Sequence, residues 1–170
     1  MNRKDTTGGD SDARRLSDLR HIAVRIESDP ARTNAGFAMN SRYVEQFWLS
    51  HIGPTALAVI RWISYCELPV DSADYTLLDV QLARQTIGVG RTGMTGRSGA
   101  FFKALDRLER FDFLRVDQRQ EGLPSEITVY SHVSVVPMGR RRQWPPELNE
   151  RHMNFLTVIA EASNTRADER

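Results

Sequence analysis

One segment, closed at both ends by proline, constrains this chain more than any other. Over residues 54–69, Leu57, Ile60, Trp62, Ile63 and Cys66 cover nearly the whole circumference of a helix, Pro54 fits its first turn and Pro69 ends it. A helix without a polar stripe is stable only inside a core, so the other elements must be arranged around it. The chain is 170 residues long and 40% hydrophobic, enough for one ordinary domain with tails. Residues 1–38 hold Thr-Thr-Gly-Gly-Asp-Ser-Asp, many charges and few large apolar side chains, which predicts a mostly disordered N-terminal arm. Within it, a short helix over 13–26 would gather Leu16, Leu19, Ile22 and Ala23 on one face. Polar residues 162–170 read as a disordered tail.

Around the central helix the chain is punctuated clearly. Asn40 and Ser41 can cap a preceding helix with Tyr43, Val44, Phe47 and Trp48 at helical spacing, ended by Gly53. Residues 75–78 read as a brief strand, and Asp79 can cap a helix over 80–87 with Leu82, Ala83 and Ile87 inward and Gly88 at its end. A glycine-rich loop of ten residues, 88–97, follows. Ser98 is the candidate cap of a helix over 99–111, with Phe101, Ala104, Leu105, Leu108 and Phe111 on one side and Lys103, Asp106, Arg107 and Arg110 on the other. Residues 113–116 predict a strand, 117–125 a turn containing Gly122 and Pro124, and 126–136 a longer, half-buried strand in which Ile127, Val129, Val133 and Val135 alternate with polar neighbours. Pro145 and Pro146 introduce a last helix over 147–160, with Leu148, Phe155, Leu156 and Ile159 available for packing.

Charge narrows the function classes. The formal net charge is only +1, from 23 basic and 22 acidic side chains, but it is unevenly placed. Residues 41–90 carry three basic and five acidic groups; residues 91–116 carry six basic against three acidic; Arg140, Arg141 and Arg142 stand together. A polyanion responds to that local field more than to the sum. Lone Cys66 and the scattered His21, His51, His132 and His152 have no metal-ligand spacing. No paired carboxylates or Ser/His/Asp arrangement stand in a recognisable context, so neither an enzyme nor a cofactor is expected. Gly88-Val89-Gly90-Arg91-Thr92-Gly93 matches the dinucleotide pattern literally, yet it follows a helix, and Met94 and Thr95 occupy the positions where a P-loop needs Lys and Ser/Thr. Without an apolar run of 18 residues or a secretory leader, a cytoplasmic protein with no membrane partner is expected.

Helices interrupted by a short strand and followed by a two-stranded hairpin are the element order of winged helix-turn-helix proteins. Residues 78–89, Leu-Asp-Val-Gln-Leu-Ala-Arg-Gln-Thr-Ile-Gly-Val, resemble the first helix of a helix-turn-helix, and residues 100–116 resemble the recognition helix running into the wing. More closely, residues 87–113, with Gly-Val-Gly-Arg-Thr-Gly-Met-Thr-Gly-Arg-Ser and then Leu-Asp-Arg-Leu-Glu-Arg-Phe, resemble an uncharacterised family of actinobacterial proteins. Trp144-Pro145-Pro146-Glu147-Leu148 through His152 is similar to that family's C-terminal segment. The resemblance covers about residues 43–156. It implies a mainly α fold with a small β-hairpin (α+β): a winged helix-turn-helix over 39–137, then a basic linker and an extra C-terminal helix over 138–161. The turn between the two helices is longer here than the few residues usual for the motif.

That resemblance and the charge pattern together predict a sequence-specific protein that binds double-stranded DNA as a bacterial or mobile-element transcriptional regulator. Ser98, Lys103, Asp106 and Arg107 are the base-edge candidates. Arg91, Arg97, Arg110 and Arg119 are the phosphate candidates, with Arg140, Arg141 and Arg142 either holding a neighbouring phosphate or keeping the connection to the last helix solvated. The alternatives are a winged-helix adaptor that binds protein and an accessory factor of replication or recombination. The last helix could join two copies in a homodimer or equally close the monomer's core.

Overall fold

The computed structural model describes residues 20–88 and 99–168, with side chains to Glu161. In chain order the elements are β1 (His21–Glu27), α1 (Pro30–Ala35), β2 (Gly36–Ala38), a π-helical turn (Val44–Trp48) leading into α2 (Leu49–Tyr65), β3 (Thr76–Asp79), α3 (Val80–Ile87), α4 (Ala100–Arg110), β4 (Leu114–Gln120), β5 (Leu123–Tyr130), β6 (His132–Ser134), α5 (Met138–Arg141) and α6 (Pro146–Asp168). This is a mixed α and β chain, divided into two compact units, residues 1–134 and 135–170.

The first unit is built on a four-stranded sheet in the order β3-β1-β5-β4. β1 runs antiparallel to β3, with Ile22 opposite Leu78, and parallel to β5, with Val24 opposite Ile127 and Ile26 opposite Val129. β4 pairs antiparallel with β5, with Leu114 opposite Val129. Strand alternation sends Ile22, Val24, Ile26, Leu114, Ile127 and Val129 to one buried face. The expected arm therefore does not extend to residue 38: residues 21–38 form two strands and a helix, and β1 takes an interior place in the sheet. The helix expected over 13–26 is replaced by strand from His21 onward, because Ile22, Val24 and Ile26 follow period two.

Against the sheet's buried side chains pack the helices, with α2 contacting both α3 and α4. Ile52, Ala56, Val59, Ile60 and Ile63 of α2 are buried, as are Phe101, Leu105 and Leu108 of α4. The break expected at Gly53 is a kink inside one continuous element: Gly53 is non-helical at φ 78° and ψ 165°, and Pro54 restarts the helix. Burial of the second half is less complete than expected, since Trp62 and Cys66 are half-buried and Tyr65 is exposed. On α3, Asp79 accepts from the N–H groups of Gln81 and Leu82 at 2.7 and 3.0 Å, and left-handed Gly88 closes the helix by donating to the carbonyls of Arg84 and Gln85. Val80 and Ala83 supply its buried side; Leu82, expected inward, is exposed.

The loop expected over 117–125 is only a two-residue turn. Gln120 pairs with Leu123, and Glu121 and Gly122 take φ values of 51° and 80°, which match a tight hairpin whose twist follows that of its strands. The long strand expected over 126–136 starts earlier and is split, β5 ending at Tyr130 and β6 pairing with β2 through Val133 and Phe37. β5 is also more buried than a half-exposed strand, because it is an interior strand and even its polar Thr128 is fully covered. Gly36 lies where an added Cβ would collide with the carbonyl oxygens of Val133 and Arg32. Phe37 stacks on Tyr43 with ring centroids 3.8 Å apart, and the Trp48 indole donates to the Ser134 carbonyl at 3.1 Å, which ties the small β2–β6 sheet to the start of α2.

In the second unit, α5 holds Arg140 and Arg141, and α6 runs to Asp168, so residues 162–168, expected as tail, are helical. Arg141 donates to Asn149 Oδ1 and to His152 Nδ1, both at 3.3 Å, and the Trp144 ring meets the His152 ring edge-on at 5.4 Å. Arg141 can only donate, so His152 Nδ1 is the acceptor of this bond. Burial, then the Arg141 charge, pushes its pKa below the ordinary histidine value. Among the described residues no helix is long and apolar enough to cross a membrane, and no group of three or more His, Cys, Asp or Glu could hold a metal ion.

Candidate nucleic-acid interface

α4 carries the site. Phe101, Phe102, Ala104, Leu105 and Leu108 are buried, while Lys103, Asp106, Arg107 and Arg110 are exposed on the opposite side, as the helical spacing predicts. Gly99 holds the N-cap position, and among the described residues no side chain caps the helix. Ser98, Arg91 and Arg97 lie outside the described residues.

The exposed face has two flanks of opposite character. At 100° per residue, Lys103 and Arg107 lean to one side and Asp106 and Glu109 to the other. On the acidic flank, Arg119 reaches across from β4, bonding Asp106 Oδ1 at 3.1 Å through one guanidinium nitrogen and Glu109 Oε2 through the other. Arg119, expected at a phosphate, is thus engaged by two carboxylates while 38% of its side chain stays exposed. Asp106, expected at a base edge, is its partner. Sequence spacing contained part of this signal: Asp106 and Glu109 lie one helical turn apart on the side facing the hairpin.

On the other flank, Lys103 and Arg107 border a cleft of about 230 Å³ whose far wall is the α2 kink, Gly53 to Ala56. The two walls come close: a Cβ built at Gly53 would lie 3.3 Å from Arg107 Nη1. Among the described residues Lys103, Arg107 and Arg110 make no hydrogen bond or ion pair, while the two acids of α4 are engaged from the hairpin. Gly53 and Thr55 are the site residues that helical periodicity did not identify; the Gly53-Pro54 pair marked a helix break, but its approach to Arg107 depends on tertiary packing.

The remaining candidates belong to the second unit. Arg141 is half-buried and bonded to Asn149 and His152. Arg140 and Arg142 are exposed.

A second polar cluster, on the sheet face away from the buried side chains, satisfies itself. Thr128 donates to Asp117 and accepts from Arg25 Nε at 2.9 Å; Arg115 Nε and the Tyr75 hydroxyl donate to Asp117 at 2.7 and 3.2 Å. Burial pushes the Asp117 carboxyl up, but the bonds from Thr128 and Arg115 outweigh it and hold the pKa below the usual value. This network stitches β1, β4 and β5 together with the Tyr75 loop and leaves no Asp117 oxygen without a donor.

Comparison of the chain with protein-family models, with curated proteins and with solved structures finds no match.

Proposed function

We propose that this protein binds double-stranded DNA sequence-specifically, as a cytoplasmic transcriptional regulator of the winged helix-turn-helix kind, with α4 as the helix that enters the major groove. The observation that carries the reading is the exposed trio Lys103, Arg107 and Arg110, without an ion pair among the described residues, on a helix whose two carboxylates are engaged by Arg119. The order α2, β3, α3, α4 and then the β4–β5 hairpin supports the same reading, since it follows α4 with a hairpin on its acidic flank. Binding comes from phosphate neutralisation and counterion release, and discrimination from contacts of one helix with base edges.

Selection of duplexes from a random pool by the purified protein at low salt tests this. A recurrent short sequence, lost when Arg110→Glu is used instead, is the expected result; an unenriched pool from a folded protein rejects the reading. A homodimer joined through α6 is a second element of the proposal, favoured by the exposure of Met153, Val158 and Ile159 on that helix. Two half-sites in the selected sequence and a dimer in sedimentation, reduced to monomer by Val158→Glu, are expected; an unchanged species in Val158→Glu removes α6 from the interface.

A further inference from the structure

The cleft beside α4 has a chemistry of its own. Ile52, Ala100 and Ala104 contribute apolar lining, the Gly53–Ala56 kink is one wall, and Lys103 and Arg107 are the only charged groups among its described lining residues. Those two cations stand one helical turn apart, a spacing that lets both reach a single group bearing several oxygens. They are also chemically unlike: the guanidinium offers a planar fork to two oxygens, and the ammonium a compact charge to a third. Apolar lining beneath such a pair lowers the local dielectric and strengthens their hold on an anion.

We propose that this cleft seats a phosphate group, and that its source is the backbone of the duplex entered by α4. A helix in the major groove has a phosphate strand along each flank. Here one flank carries the hairpin and its Arg119, and the other opens into the cleft. This rests on the DNA reading and changes the division of labour within it: Lys103 and Arg107 become positioning contacts that set the helix's register, not readers of bases. Gly53 supplies the kink because its φ of 78° is one that L side chains rarely adopt.

The test fills the cleft from the α2 side without touching α4. Thr55 is half-buried in the cleft wall; Thr55→Glu places a carboxylate beside both cations, and Thr55→Gln places the same bulk without charge. With random-sequence duplex, Thr55→Glu should show a salt dependence shallower by about 0.9 in log–log slope, so that its affinity loss from 50 to 200 mM salt is about 3.5-fold smaller than that of Thr55→Gln. Lys103→Ala and Arg107→Ala should weaken all duplexes alike and leave the selected sequence unchanged. If the wild-type protein binds duplex but Thr55→Glu matches Thr55→Gln, or either alanine variant changes the selected bases, the cleft proposal is overturned and the DNA reading stands. If the wild type retains no duplex, the DNA reading falls and the backbone source with it. Amide shifts of Gly53 and Ala56 on titrating inorganic phosphate then decide the cleft: shifts abolished in Thr55→Glu alone reassign it to a free phosphate compound, and no shifts remove the site.

Discussion

Ile22→Ala tests the element least expected from composition. Ile22 is 1% exposed, lies opposite Leu78 on β3 and faces the same buried layer as Val24 and Ile127. Removing three carbons forfeits roughly 2.4 kcal/mol of transfer free energy at about 0.8 per carbon. The cavity left in a sheet interior raises the total into the range of about 2–5 kcal/mol. With a urea m-value of about 1.5 kcal/mol/M, a loss of about 3 kcal/mol lowers the unfolding midpoint by about 2 M. Far-UV circular dichroism in urea measures this, with His21→Ala on exposed β1 surface as the control, expected within about 0.5 kcal/mol of the parent. If the two variants unfold together, β1 does not occupy the interior of the sheet and the fold described for the first unit is wrong.

Gly36→Ala should destabilise by about 1–3 kcal/mol, because its methyl group would meet the carbonyls of Val133 and Arg32 from opposite elements; thermal unfolding checks it, and an unchanged midpoint contradicts the close approach. Arg119→Ala should weaken duplex binding by about two- to fivefold by exposing Asp106 and Glu109 to the phosphates, and Asp106→Asn with Glu109→Gln should restore it; no rescue would mean that Arg119 touches DNA itself. His152 has a depressed folded-state pKa, so the unfolded chain takes up the proton first. Stability should therefore fall as pH drops from about 6.5, level off below the folded value and be flat above about 7.5. Thermal midpoints across that range should show the slope in the parent and lose it in His152→Asn. Asp117 acts in the more acidic window: its stabilisation is present above about pH 3.9 and is lost as pH falls through its lower folded value, a loss that Asp117→Asn should not show.

Local chemistry was legible in the sequence and long-range pairing was not. Asp79 and Gly88 announced both ends of α3, Gly53 and Pro54 announced the kink, and the spacing of Phe101, Ala104, Leu105 and Leu108 placed Lys103, Asp106, Arg107 and Arg110 on one exposed face. β1 escaped because its partner is distant: Arg25 bonds Thr128, 103 residues away, and polar flanks diluted the period-two signal of Ile22, Val24 and Ile26. The hairpin turn looked longer than it is because Pro124 reads as loop, although it pairs with Arg119 inside the ladder. At the site, periodicity assembled the α4 face but not its flanks. Arg119's hold on Asp106 and Glu109, and the approach of Gly53 to Arg107, each join residues from different elements.

Duplex affinity across a salt series, for the parent and for the Lys103→Ala, Arg107→Ala, Arg110→Ala triple variant, tests the central claim most directly. The parent should bind at 50 mM salt and weaken steeply as salt rises, while the triple variant, folded as judged by circular dichroism, should bind far more weakly and with a shallower slope. Equal affinities and equal slopes would contradict the assignment of α4 as the DNA-binding helix.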